Sequence, residues 1–288
     1  MKRMLRKKRM QIIGLGVLAL VTAILVIWSL PQIRNPQPSG VPAQVTPPAT
    51  SAASEPSSAD STGGPTPTKA SPSKGAAPKG LAGLAAMLRG KQPVSILVIG
   101  DGSGNESDEW VHLWATEHLA ASRKVTYKTW DPNRSAWKSD GSTGTGATVT
   151  VWNASMTAPS LSTEHDRVAE VWQAADVVIL SYGHRNPANS IGSKLTAIRK
   201  AIKAQDETAN ILVMIQNPDP VAIEQTQRET TQAVKKWAHD LDLDTVNIYD
   251  AFISDPAPRY ELVEPDGSPS PIGSALWAKT FASLLASA

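Results

Sequence analysis

The 288-residue sequence predicts a three-layer α/β/α sandwich with a mainly parallel sheet, preceded by an N-terminal transmembrane helix. Three observations predict it. Short apolar runs rich in Val, Ile and Leu recur between residues 94 and 249, as strands buried on both faces require. Segments with helical periodicity separate these runs, so successive strands are joined by crossover helices. The chain also opens with six cations followed by an uncharged, mainly apolar stretch.

Taken in order, residues 1–10 carry Lys2, Arg3, Arg6, Lys7, Lys8 and Arg9 and no acid. Residues 11–30 are uncharged and match the ~20 residues that a bilayer-spanning helix needs. Trp28 falls at the outer end, where an amphipathic ring suits the headgroup region. The cations before the span predict a cytoplasmic N-terminus and an extracytoplasmic remainder. A cleaved signal peptide is the competing reading, but its apolar core is typically ~7–15 residues, and 29–31 (Ser-Leu-Pro) is a poor small-x-small site. Residues 31–80 hold 11 of the 22 prolines with Ser, Thr, Ala and Gly, so they read as a disordered, extended linker. At full polyproline stretch it would reach ~150 Å.

Residues 81–288 are expected to form one domain. A short helix at 81–88 opens it. Strands are expected at 94–99, 124–130, 148–152, 176–181, 210–216 and 245–249, and helices at 107–122, 163–174, 190–204, 221–242 and 271–286. The Gly-Ser-Thr-Gly-Thr-Gly run at 141–146 reads as a mobile loop, and its spacing does not match a dinucleotide fingerprint.

The charge balance excludes some functions. Removing the six N-terminal cations from the 28 basic residues leaves 22 against 26 acidic ones, a balance of −4. No basic stripe remains for nucleic acid. The absence of cysteine excludes a disulfide framework, a lipoprotein anchor and a thiolate metal site.

Chemistry in parallel sheets collects beyond the carboxyl ends of the strands. The first strand breaks on Gly100-Asp101-Gly102-Ser103-Gly104. Asn153-Ala154-Ser155 follows the run at 148–152, Tyr182-Gly183-His184-Arg185-Asn186 follows 176–181, and Gln216-Asn217-Pro218 closes the next strand. Asp266-Gly267-Ser268-Pro269 precedes the last helix.

The order and spacing of these blocks across nearly all of 93–285 resemble the SGNH/GDSL hydrolase family. That resemblance implies a flavodoxin-like sandwich and an ester hydrolase or acyl transferase. It implies a serine after Gly100-Asp101, an oxyanion-binding glycine amide near 153–158 and an asparagine near 185–186. It also implies an Asp-x-x-His pair beginning at Asp266. In this chain Gly102 stands at the serine position and Ser103 follows it. Gly183 and His184 match the third block, with Asn186 displaced by one. Ser268 or Pro269 stands where the histidine belongs.

A serine hydrolase needs a hydroxyl, an imidazole within reach of it and a carboxylate to orient that imidazole. The candidate set is Ser103, His184 and Asp266, with Asp101, Gly102, Asn153, Gly183 and Asn186 around the oxyanion site and cleft. The competing reading gives Ser103 to the loop as a cap or tie. His112, His118, His165 and His239 fall in helical stretches as surface residues. His184, Asp101 and Asp266 lack the spacing of a metal site, and no cofactor is expected. Trp130, Trp137 and Trp152 are read either as a platform for a sugar or acyl chain or as strand-end packing.

Two functions therefore stand open. One is a membrane-anchored, extracytoplasmic esterase or acyl-hydrolase acting on cell-envelope acyl or acetyl esters. The other is a catalytically inactive domain, a pseudoenzyme, that binds cell-wall polysaccharide or an acyl ligand.

Overall fold

The computed structural model describes residues 79–288 apart from 185, 222 and 223. The expected cytoplasmic segment, the anchor at 11–30, nearly all of the linker and Arg185 lie outside the described residues. Among the described residues no helix is long and apolar enough to cross a membrane.

Among the described residues seven strands form one sheet: β1 (Val94–Gly100), β2 (Lys124–Asp131), β3 (Ala136–Thr143), β4 (Thr148–Asn153), β5 (Val177–Ser181), β6 (Asn210–Ile215) and β7 (Thr245–Asn247). Their order is β3-β2-β4-β1-β5-β6-β7. All neighbouring pairs are parallel except β2 and β3, which form an antiparallel hairpin. The helices are α1 (Gly80–Arg89), α2 (Trp110–Leu113), α3 (Glu164–Val171), α4 (Ala188–Gln205), α5 (Glu224–Asp240), α6 (Ile248–Ser254), α7 (Arg259–Leu262) and α8 (Pro271–Ser287). Helix α2 runs on through a wider π turn, Trp114–His118, and a tight 3-10 turn, Leu119–Ala121.

Alternation along β1 produces the layers. Val94, Ile96 and Val98 enter one core with residues of α1, α2, α6 and α8; Leu97 and Ile99 enter the other with residues of α3, α4 and α5. Residues 96–99 are fully buried, so each apolar side chain contributes about 1.5–3 kcal/mol of burial. On the first face Trp110 stacks flat on Trp277, with ring centroids 5.0 Å apart. That contact fixes α2 against α8. The buried Arg123 guanidinium donates to the carbonyls of Leu88, Gly90, Gln92 and Thr148 and so ties the α1–β1 connection to the start of β4.

Three departures from the sequence expectation have local causes. Part of the glycine-rich 141–146 run belongs to β3, because polar cross-strand bonds order it: Thr126 to Ser142 at 3.0 Å and Thr129 to Asp140 at 2.7 Å. The run expected as a strand at 245–249 stops at Asn247, whose side chain accepts from Asp250 N and opens α6 instead. The helix expected from 107 begins at Trp110, since residues 102–109 are held in turns; Glu106 N donates to Glu109 Oε2 at 2.7 Å.

Candidate functional site

Strand β1 lies between β4, which the chain reaches first, and β5, which it reaches next, so the connections leave the sheet on opposite sides there. This is the switch point at which open α/β sheets form a crevice. A cavity of about 360 Å³ opens at this place, lined by Asp101, Gly102, Ser103, His184, Asn186 and Asp266 among others. The topology thus brings together residues that are widely separated in the chain.

The cavity floor is a closed hydrogen-bond network. Asp101 N donates to Ser181 O at 3.1 Å, which extends the β1–β5 ladder by one residue. The Asp101 carboxylate accepts the Ser103 amide at 3.2 Å and the Ser103 hydroxyl at 2.8 Å. Gln216 Nε2 lies 2.9 Å from each Asp101 oxygen and 3.1 Å from Ser181 O. Gln216 Oε1 accepts from His184 N at 2.9 Å. Ser103 is 2% exposed. Its hydroxyl ties the loop to Asp101, and among the described residues no hydrogen bond joins it to an imidazole.

His184 reaches the same cavity by a different route. Its Nε2 lies 3.0 Å from Asn217 O, a group that can only accept, so Nε2 carries the hydrogen and Nδ1 is the basic nitrogen of the neutral ring. Asn186 Nδ2 donates to His184 O at 2.7 Å, so its amide shapes the loop. In the loop before the last helix, Asp266 Oδ1 accepts the Ser268 amide at 3.0 Å and also the Ser268 hydroxyl. Gly102 lines the cavity, and a Cβ built there would stand 3.3 Å from Thr157 Cα and 3.4 Å from Asn105 Oδ1.

Two further candidates lie behind the cavity wall. Asn153 is buried and donates to Gly104 O at 2.6 Å and Tyr127 Oη at 2.7 Å, while its Oδ1 accepts Ser155 N. Gly183 makes room for the Gln216 amide, since a Cβ there would meet Oε1 at 2.9 Å. Trp130, Trp137 and Trp152 are half-buried and pack edge to face in a row, with centroids 5.3 and 5.1 Å apart, against the second core.

Sequence reasoning gave no role to Gln216 or Glu109. Glu109 lines the cavity beside Glu106, and burial pushes its carboxyl up from 4.5 to about 7 despite backbone donors that favour the charge. A polar residue closing a strand was the available signal for Gln216. No local signal marks Glu109. Among the described residues no group of three or more histidine or carboxylate side chains is placed to hold a metal ion.

No protein-family model matches the chain, and no curated protein matches it. Solved structures similar to it include a lipase/acylhydrolase from Enterococcus faecalis, at 16% identity over 66% of this chain and 94% of that one, with a TM-score of 0.49. The psychrotrophic esterase EstA from Pseudoalteromonas is similar at 15% identity over 67% and 97%, with a TM-score of 0.45. A member of the lipolytic G-D-S-L family from Veillonella parvula is similar at 12% identity over 65% and 94%, with a TM-score of 0.43. These likenesses concern fold and assign no residue a role. The described domain is an α/β sandwich on a mostly parallel sheet, a fold of the SGNH/GDSL type, seen in its own strand order and in the blocks that end β1 and β5.

Proposed function

We propose, with that fold as the premise, that the domain binds a hydroxyl-rich carbohydrate in the cleft beyond β1 and does not hydrolyse esters there. One observation carries this reading. The Ser103 hydroxyl is buried and donates to Asp101 at 2.8 Å, while the half-buried position before it, which lines the cavity, is Gly102 and has no side chain to attack with. A nucleophile needs a base within about 3 Å, and a carboxylate that is already tied to an amide is a poor base for a serine near neutral pH.

The cleft walls favour sugar over an acyl chain. Asn105, Glu106, Asn186, Asp266 and Ser268 supply amide, carboxylate and hydroxyl groups, whereas Leu161, Pro159 and Ala158 are the apolar contributors. Hydroxyl-rich ligands are recognised by such directional groups, and acyl chains need continuous apolar walls. The cationic start, the apolar stretch at 11–30 and the Pro-rich linker support a domain tethered outside a membrane, within reach of cell-wall polysaccharide.

The second reading is an ester hydrolase or acyl transferase acting on envelope acyl or acetyl esters. It is favoured by the sharing of one cavity by Ser103, His184 and Asp266. Turnover of p-nitrophenyl acetate by the full chain separates the two. The binding reading expects no rate above buffer and retention of the chain on insoluble wall polysaccharide, lost when Glu106 and Asp266 are both replaced by Ala. Turnover abolished by Ser103→Ala or His184→Ala would establish the hydrolase instead.

A further inference from the structure

Beside the first cavity lies a second, of about 590 Å³, that the reading above does not use. Asn105, Glu106 and Thr157 line both, so the two lie side by side and share a wall. Within this shared wall Asn105 Nδ2 donates to Thr157 Oγ1 at 3.2 Å, a single exposed hydrogen bond between two side chains. The outer wall comes from the β2–β3 hairpin, which lengthens the sheet beyond β4. Thr129, Lys138 and Asp140 stand on that wall, and His112 of α2 lines the groove as well.

These groups are held in place in advance. Thr129 Oγ1 donates to Asp140 Oδ2 at 2.7 Å, and Lys138 Nζ lies 3.3 Å from Asp140 Oδ1. His112 packs edge-on against Tyr127, with ring centroids 4.9 Å apart. The Tyr127 hydroxyl bonds to Asn153, so the ring stays fixed. The groove therefore offers donors, acceptors and an aromatic wall, with charges of both signs. That mixture suits neither a polyanion nor an acyl chain.

We infer that this groove is a second sugar subsite, and that the ligand of the cleft is a chain of several sugar units laid across the shared wall at Asn105 and Thr157. The inference rests on the carbohydrate reading of the first cavity. A short ligand engages one subsite; a longer one engages both, and the second contact is then intramolecular.

The test is calorimetric titration of the full chain with homopolymer ladders of N-acetylglucosamine, glucose, mannose and xylose, from disaccharide to hexasaccharide. Affinity for the recognised ladder is expected to rise about tenfold or more once the oligomer spans both cavities. Replacing both Lys138 and Asp140 by Ala should remove that gain and leave disaccharide affinity unchanged. Both side chains are solvent-accessible, so the fold should survive. His112→Ala should also reduce the gain. Disaccharide and hexasaccharide affinities within about twofold of one another would overturn this inference alone. A full length gain in the Lys138/Asp140 variant would also overturn it. No binding of any ladder would overturn the carbohydrate reading and this inference with it.

Discussion

Gln216 at the end of β6 holds Asp101 at the end of β1 through its side-chain amide, 2.9 Å from each carboxylate oxygen. Strand β5 runs between them, and the same amide nitrogen lies 3.1 Å from Ser181 O, while its oxygen accepts His184 N. In a serine hydrolase the acid orients an imidazole. Here Asp101 is committed to an amide and to Ser103, and the floor of the cleft is a locked structural network.

Replacing Gln216 by Leu should therefore cost about 2–4 kcal/mol, because a buried carboxylate loses its amide donor and His184 N loses its acceptor. Urea unfolding checks it. A loss under about 0.5 kcal/mol would mean that water replaces the amide and that the floor is open.

Gly102→Ser should cost about 1–2 kcal/mol, since its Cβ would stand 3.3 Å from the backbone Cα of Thr157, a tight contact that the loop must yield by a few tenths of an ångström to accept. The new hydroxyl enters the cavity but finds no base, so p-nitrophenyl acetate turnover should stay at background. Adding Ser268→His beside Asp266 supplies an imidazole, and only the double variant is expected to turn over. A single Gly102→Ser variant that is active, and that loses activity with His184→Ala, would identify His184 as the base.

How far the sequence could be read depended on whether each signal was local. The apolar run of β1 and the small residues ending it located the cleft, since strand propensity and its interruption are both local. The Asp101–Gln216 contact joins positions 115 residues apart, and nothing near either residue announces it. Strand β3 has mostly exposed Ser, Lys, Asp and Gly and no apolar alternation; its order comes from pairing with β2. Consequently the second groove, whose outer wall is this hairpin, leaves one trace in the sequence: Trp130, readable there as a sugar or acyl platform or as strand-end packing, lines the groove.

Glu109 makes stability pH-dependent. Its carboxyl titrates near 4.5 when unfolded and near 7 in the folded domain. Between these values the folded state holds a proton that the unfolded state has released, so stability falls as pH rises from 4.5 to 7 and then levels. Glu109→Gln keeps an acceptor for Glu106 N but cannot ionise. The variant should melt higher than the wild-type chain above pH 7 and converge with it below pH 4.5. Parallel melting curves across this range would show that Glu109 is solvated.

The glycine run that closes β3 should divide sharply under substitution. Gly144 has φ +76°, and a Cβ there would lie 2.2 Å from Arg123 O and 2.5 Å from Ala120 O, both backbone atoms that cannot yield. Gly141 has φ +111° with nothing within 4 Å. Alanine at 141 therefore costs the backbone strain alone, about 1–2 kcal/mol, whereas alanine at 144 adds a collision and should cost about 3 kcal/mol or more. Thermal melting of the two variants gives the comparison. Because Gly144 seats the returning end of the hairpin against the turn at 120–123, its substitution should also weaken oligosaccharide binding more than disaccharide binding. Equal losses of stability at 141 and 144 would show that the hairpin is not anchored there.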